Sequence, residues 1–417
     1  MKNESQNVLL DVFGLENKGD WLMFDAMLEQ VRKRRPLARI GVPENVFAKN
    51  EGFYLEHQVV PVVRSAGKRD RLRMVTNKAI AILLRRNRPM CASEIDLVLF
   101  APGFRFSDQF GTIPESFVKQ EYEWFSSFTK PGRKIFFMPQ AFGPLESEAI
   151  KHRLRRLLTL ASRVFPRDKS SYDYLLPLAS NPNTISIAPD FTCLFRSTPI
   201  ELPYSNNDYV VVVPNHQMLV RTKGNTPGNY CEFMFRLVRM LRSRGEHVVL
   251  LNHEQEGDSG QIEMLNAAID NSAFVVENVS GGACKSVIKG AKLVVTSRFH
   301  ALVSALAEGT SVLSTSWSHK YRELVAEMDS PDSCLNLESV DDALHVVDNA
   351  LAHPEKFTSS PSVRAELERK VTTMWDEILP PISPPKAMSP GRSVRPVFYI
   401  RPRRWNLLMK LVCLDFR

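Results

Sequence analysis

A chain of 417 residues is too long for one ordinary hydrophobic core, so two domains of about 180 residues each are expected. A hydrophobic fraction of 44% with 24% charged residues is that of a soluble globular protein, and no run approaches the roughly 20 apolar residues needed to span a bilayer. The net charge of +8 is concentrated: 386–417 holds eight basic residues and one acidic, and 64–88 holds nine basic and one acidic. Localised charge of this kind suits an anionic surface, either a membrane leaflet or a polyanion.

The cysteines (Cys91, Cys193, Cys231, Cys284, Cys334 and Cys413) are scattered, with no close pair and no metal-like spacing. This argues for reduced thiols in a cytoplasmic enzyme, against a disulfide framework and against a cysteine zinc site. Residues 1–7 lead into only a short apolar run, which is no secretory signal.

In chain order, 7–13 reads as a strand and 14–19 as a loop. Leu22, Phe24, Ala26, Met27, Leu28 and Val31 give 21–34 a helical period. The run 95–100 is a buried strand closed by Ala101-Pro102-Gly103, 117–128 is helical, and 134–138 is a strand ended by Pro139-Gln140. An amphipathic helix over 150–161 and a short strand over 164–166 follow. The turn-rich segment 196–208, with Pro199, Pro203 and Asn206-Asn207, reads as an interdomain linker. Alternation then restarts with a strand at 209–213, a helix at 230–244, and strands at 247–251, 274–276 and 293–295.

Strands alternating with helices predict an α/β fold of two doubly wound, Rossmann-like domains that face a cleft at the carboxyl ends of their strands. The expected domains are 1–198 and 199–378, followed over 379–417 by a proline-rich linker and a basic amphipathic tail. In the tail, Arg401-Pro402-Arg403-Arg404-Trp405 precedes the apolar Leu407-Leu408-Met409. That pattern suits a short helix lying on an anionic membrane, and equally a segment packed back on the first domain with its charges solvated.

The segment Thr296-Ser297-Arg298-Phe299-His300-Ala301-Leu302 follows the apolar run Leu293-Val294-Val295 and opens a helix that Gly309 closes. Ser311-Val312-Leu313-Ser314 is the next strand, and Lys320 follows it. Arg298, His300 and Lys320 therefore converge from consecutive strand-end loops, where free N–H groups and the helix dipole favour anions. The residues alone leave two readings, an anion site or a surface ion pair with a hydrogen-bonded histidine. His216 and His253 follow strands of the second domain, and His253-Glu254-Gln255-Glu256 with Asp258 reads as a polar loop, since no second histidine falls at metal-binding spacing. Asp190, after Pro189, reads as a turn former or else as a cleft residue, with the turn favoured.

Arg298-Phe299-His300-Ala301, Ala305-Leu306, Gly309 and Lys320 resemble the most recognisable block of the polysaccharide pyruvyl transferase family. Phe13-Gly14 with Asn17-Lys18-Gly19-Asp20 is similar to that family's N-terminal loop. Pro139-Gln140-Ala141-Phe142-Gly143-Pro144-Leu145, Arg167-Asp168 with Ser171, and Ala188-Pro189-Asp190 complete an ordered set. Two departures stand out: Ala101-Pro102-Gly103-Phe104-Arg105 has one glycine where the family has a glycine-rich turn, and Trp317 stands roughly where an aromatic residue precedes the lysine.

The resemblance implies a glycosyltransferase-B-like architecture, phosphoenolpyruvate as co-substrate with no cofactor, and a cyclic pyruvate ketal on two hydroxyls of a sugar in a surface polysaccharide or its precursor. It implies that His300 is the general acid/base or binds the donor phosphate, that Arg298 grips the donor carboxylate or phosphate, and that Lys320 holds the other anionic group. Arg167 is a fourth candidate for substrate binding. Asn17, Gly19 and Asp20 would face the donor across the cleft, with Asp20 accepting from or deprotonating a sugar hydroxyl, or else capping the helix that follows. The implied partners are phosphoenolpyruvate and a free, nucleotide-linked or lipid-linked glycan, and no nucleic-acid-reading motif is present. The implied location is the cytoplasm, including the inner face of the plasma membrane. A nucleotide-sugar glycosyltransferase of the same architecture is the alternative, since an Arg/Lys pair also neutralises a diphosphate.

Overall fold

Apolar runs alternating with amphipathic helices build two sheets in which every described strand pairing is parallel. The computed structural model describes residues 6–64, 88–111, 113–316 and 318–381. The expectations for the basic cluster over 65–87, for Trp317 and for the tail from 382 onward lie outside the described residues.

The first sheet comprises β1 (Asn7–Asp11), β2 (Arg39–Pro43), β3 (Val59–Val63), β4 (Met90–Cys91), β5 (Leu97–Phe100), β6 (Phe104–Phe106), β7 (Lys134–Phe142) and β8 (Arg163–Pro166). Its order is β4-β3-β2-β1-β5-β7-β6, with β8 also paired to β7. The second comprises β9 (Tyr209–Val213), β10 (His247–Leu251), β11 (Phe274–Val276), β12 (Leu293–Thr296) and β13 (Val312–Ser314), in the order β11-β10-β9-β12-β13. Strands covered on both faces must be apolar at every position rather than at alternate ones. All of Tyr209–Val213 and all of Leu97–Phe100 are accordingly buried. Each fully buried Val or Leu contributes about 1.5–3 kcal/mol.

Both sheets reverse direction beside their first strand. β1 lies between β2 and β5, and β9 lies between β10 and β12. The loops leaving β1 and β5 diverge to opposite faces, as do those leaving β9 and β12, and each divergence opens a crevice at the strand ends. The glycosyltransferase-B-like α/β architecture expected from the sequence is thus present.

Two local expectations are corrected. Pro139 does not end its strand, because β7 runs from Lys134 through Phe142. The proline sits where the register with β8 shifts between Phe137 and Gln140, so its missing N–H costs no regular ladder bond. The final helix, Pro361–Ile378, does not belong wholly to the second domain as 199–378 would have it. Its early residue Leu367 packs in the core of the second sheet, whereas Val371, Met374, Trp375 and Ile378 enter the core under the first.

The lobes also touch at the start of the first helix. Lys18–Arg34 lies so close to the helix Gly281–Lys289 that a β-carbon on Gly281 would stand 2.6 Å from the Leu22 nitrogen and 2.8 Å from the Lys18 carbonyl oxygen. Lys18 N–H donates to the His253 carbonyl at 2.9 Å, which fixes that helix start against the end of β10. No described helix is long and apolar enough to cross a membrane.

Candidate active site

The end of β12 is held by a buried hydrogen-bond hub. The Ser297 carbonyl accepts from Asn215 Nδ2 at 2.7 Å and from the Tyr321 hydroxyl at 2.8 Å. Thr315 Oγ1 donates to Ser297 Oγ at 2.7 Å, and Ser297 Oγ donates to the Tyr230 hydroxyl at 3.1 Å. Thr296 Oγ1 accepts from Arg298 N–H at 2.9 Å, so the turn into the helix Phe299–Glu308 is determined before any ligand arrives. Groups held by several satisfied bonds lose little further freedom on binding, which is the structural meaning of preorganisation.

Arg298 is buried and borders the cleft, but its fork is largely committed. Nε donates to Asp258 Oδ2 at 2.9 Å, Nη2 reaches Asp258 Oδ1, and Nη2 lies 2.6 Å from Glu254 Oε2. Burial works against the charge, but Asp258 and then Glu254 outweigh it and raise the Arg298 pKa. Asp258 Oδ1 also accepts from His216 N–H at 3.0 Å. His216 therefore serves through its backbone, while His253 and Glu254 line the cleft with their neighbours.

His300 stands in the first turn of Phe299–Glu308, with Nε2 3.6 Å from Asp190 Oδ2. Burial lowers its pKa to about 4; Asp190 opposes the shift, whereas Arg167 and Lys320 add to it. The imidazole is therefore neutral near pH 7. Arg167 follows β8, places Nη1 3.4 Å from Asp190 Oδ2, and sets its guanidinium 3.7 Å from the Phe299 ring centre. Lys320, in the first turn of His319–Glu327, has its ammonium 4.4 Å from the Phe104 ring centre and 5.3 Å from that of Phe299. Burial, then Arg167 and Arg298, push the Lys320 pKa well below the usual lysine range.

From the first lobe come the residues of the N-terminal loop. Asn17 caps Lys18–Arg34, its Oδ1 accepting from Gly19 N–H at 2.8 Å. The alternative reading of Asp20 as that cap is corrected: Asp20 lies inside the first turn, and the cap is Asn17. Burial, followed by Glu254 and Glu16, pushes the Asp20 pKa up to about 8. Gly19 faces His300 so closely that an added β-carbon would fall 2.2 Å from Nδ1.

These groups border one cavity of about 240 Å³ that takes its walls from both lobes. Asn17, Asp20, Arg167, Arg298, His300 and Lys320 all line it; Gly19 stands behind His300. Asp190 is the residue that sequence reasoning undervalued. Its Oδ1 accepts from Thr192 N–H at 3.0 Å and from Thr192 Oγ1 at 2.6 Å, which is the turn-forming role, while its Oδ2 faces both Arg167 and His300. Asp258 was missed as the main partner of Arg298, since forty positions separate the two in sequence. A cleft in which one carboxyl is held protonated and one imidazole is held neutral, beside buried cations, can bind an anion and move protons in both directions.

Two parallel α/β lobes thus enclose a polar cleft with buried cations. Among solved structures, the chain is similar to the UDP-GlcNAc 2-epimerase of Neisseria meningitidis bound to UDP-GlcNAc, at 9% identity and a TM-score of 0.54, covering 89% of this chain and 99% of that one. It is also similar to HepE of Anabaena in complex with UDP, at 13% identity and a TM-score of 0.52, covering 89% of this chain and 98% of that one. At such identities the likeness concerns the fold alone. Among curated proteins no sequence matches the chain. The family model described as polysaccharide pyruvyl transferase matches residues 17–319, a span that runs from the Asn17 cap to the start of the Lys320 helix. The chain belongs to the polysaccharide pyruvyl transferase family.

Proposed function

We propose that this protein transfers pyruvate from phosphoenolpyruvate to two hydroxyls of one sugar, in a polysaccharide or its lipid-linked precursor, and closes a cyclic ketal. The observation that carries the reading is the meeting of Asp20, held protonated, and His300, held neutral, with Arg167 and Lys320 in one cleft. Phosphoenolpyruvate brings a phosphate and a carboxylate. Burial makes the Lys320 charge costly, and an anionic donor offsets part of that cost. Arg167 adds a second cation, and Arg298 borders the same space with its Nε and Nη2 braced on Asp258.

Asp20 then protonates the methylene carbon of the enol ester, which becomes the ketal methyl group and leaves an electrophilic carbon. This differs from the base role expected from sequence, because a carboxyl with a pKa of about 8 carries its proton at neutral pH. One sugar hydroxyl adds to that carbon while His300 takes its proton, an exchange worth ~10²–10⁴-fold in rate. The second hydroxyl displaces phosphate. Two C–O bonds to the sugar form and one C–O bond to phosphate breaks. Of the two hydroxyl protons, one is balanced by the new methyl C–H and the other leaves with phosphate. The scheme uses phosphoenolpyruvate as co-substrate and calls on no cofactor. An acceptor carried on lipid would place the enzyme at the inner face of the plasma membrane.

The test is thermal stability with phosphoenolpyruvate beside a panel of nucleotide sugars. A ligand of the native state at a hundredfold excess over Kd adds about 2.7 kcal/mol. The expected result is a shift with phosphoenolpyruvate, together with loss of phosphate release in His300→Ala and Lys320→Ala. A shift with a nucleotide sugar alone would replace this reading by glycosyl transfer.

A further inference from the structure

The first lobe holds a second cavity, of about 410 Å³, that plays no part in the scheme above. It lies at the carboxyl ends of β1, β2 and β3 and is walled by the helix Glu115–Ser126. Phe13 borders this cavity and the reaction cleft alike, so the two adjoin.

Its chemistry differs from that of the cleft. The cations are already answered: Arg105 Nη2 lies 3.2 Å from Glu121, Arg153 holds the same carboxylate at 2.6 and 2.8 Å, and Arg64 Nη2 donates to the Gln120 carbonyl at 3.0 Å. A site balanced in this way has no surplus positive charge for a phosphate. Apolar rings stand open instead, with Phe13 50% and Phe117 40% exposed, and the Arg105 guanidinium between them at 4.9 and 5.0 Å from their centres. Trp124 Nε1 donates to Asp11 Oδ2 at 2.9 Å and so fixes a carboxyl group in the wall. Burial pushes the Asp11 pKa up to about 6, which still leaves an acceptor carboxylate at neutral pH. Exposed aromatic faces beside a fixed carboxylate match a saccharide, which offers C–H faces to rings and hydroxyl donors to oxygens.

We propose that this cavity binds a neutral sugar unit of the acceptor, adjoining the unit that receives pyruvate. The inference rests on reading the main cleft as the pyruvyl-transfer site, and the two are tested by separate measurements on the full chain.

The first measurement is saturation-transfer NMR with the neutral disaccharides maltose, cellobiose, lactose and chitobiose. The second is the phosphoenolpyruvate-induced change in Tm. At least one disaccharide should bind, and Asp11→Asn and Phe117→Ala should each weaken it roughly tenfold while leaving the donor-induced change in Tm intact. Asparagine retains an acceptor for Trp124 Nε1 and Phe117 is a surface ring, so neither change removes a core contact. No contact from any of the four sugars, equal binding by both variants, or displacement of the sugar by inorganic phosphate would each overturn the proposal. Variant-sensitive sugar binding without any donor-induced change in wild type would support the sugar site and remove the donor reading instead.

Discussion

Gly19 and His300 meet across the two lobes, with the imidazole Nδ1 filling the space where a side chain on Gly19 would begin. A β-carbon there would stand 2.2 Å from Nδ1 and 2.9 Å from Cγ, so ring and glycine exclude any larger residue. The second residue of the first helix thus determines how far the His300 ring of the other lobe can enter the cleft.

Gly19→Ala tests this relationship. Alanine is the better helix former by about 1 kcal/mol, but the clash forces the ring to turn or the lobes to part, at a cost of about 1–3 kcal/mol. Phosphate release should fall by about 10²-fold or more while Tm moves by only a few degrees. Measurement of kcat beside Tm checks it, and an unchanged kcat would mean that His300 does not act from this position.

The pH profile follows from the two displaced pKa values. In the proposed scheme His300 must be neutral to accept a proton, which holds above about 4, and Asp20 must be protonated to donate one, which holds below about 8. The profile of kcat/KM should therefore be a broad plateau with an acid limb near 4 and an alkaline limb near 8. A limb near 6.5, the ordinary histidine value, would place the working imidazole in solvent rather than in this cleft.

Stability should depend on Asp20 with a definite sign. Its folded pKa of about 8 lies above the ordinary 3.8, so unfolding releases its proton across that interval. The contribution is complete below about 4 and is lost progressively as pH rises to about 8. Asp20→Asn removes this loss, and thermal melts should show the variant gaining on wild type from pH 5 to pH 8 while it loses activity. A constant difference in Tm across that range would contradict the burial of Asp20.

The brace behind Arg298 makes a further prediction. Asp258→Ala leaves a buried guanidinium without its bidentate partner and should cost about 3–5 kcal/mol, read from urea unfolding. Glu254→Gln should cost less than half as much, because Glu254 is the more exposed partner and contacts only Nη2. Equal losses from the two variants would show that the carboxylates share the charge evenly.

Much of this arrangement is legible in one dimension because it depends on short-range patterns. The runs Tyr209–Val213 and His247–Leu251 are strands with the bounds their apolar residues suggest, and the Arg298-Phe299-His300 turn declares itself by a strand that stops where a helix begins. β2 and β3 escaped because Arg39–Pro43 and Val59–Val63 are short and contain or adjoin proline and glycine, so it is pairing, of β2 against β1 and of β3 against β2, that stabilises them as strands.

By itself the sequence determined most strands of the two parallel sheets and which strand ends carry Arg298, His300 and Lys320, since periodicity and propensity act within a few residues. Only the tertiary structure decided that Gly19 admits His300, that Asp258 occupies the fork of Arg298, and that Asp190 stands between Arg167 and His300. It also decided the protonation of the site. A pKa is displaced by exclusion of water and by charges brought close in space, and in this cleft both come from segments far apart in the chain and from both lobes.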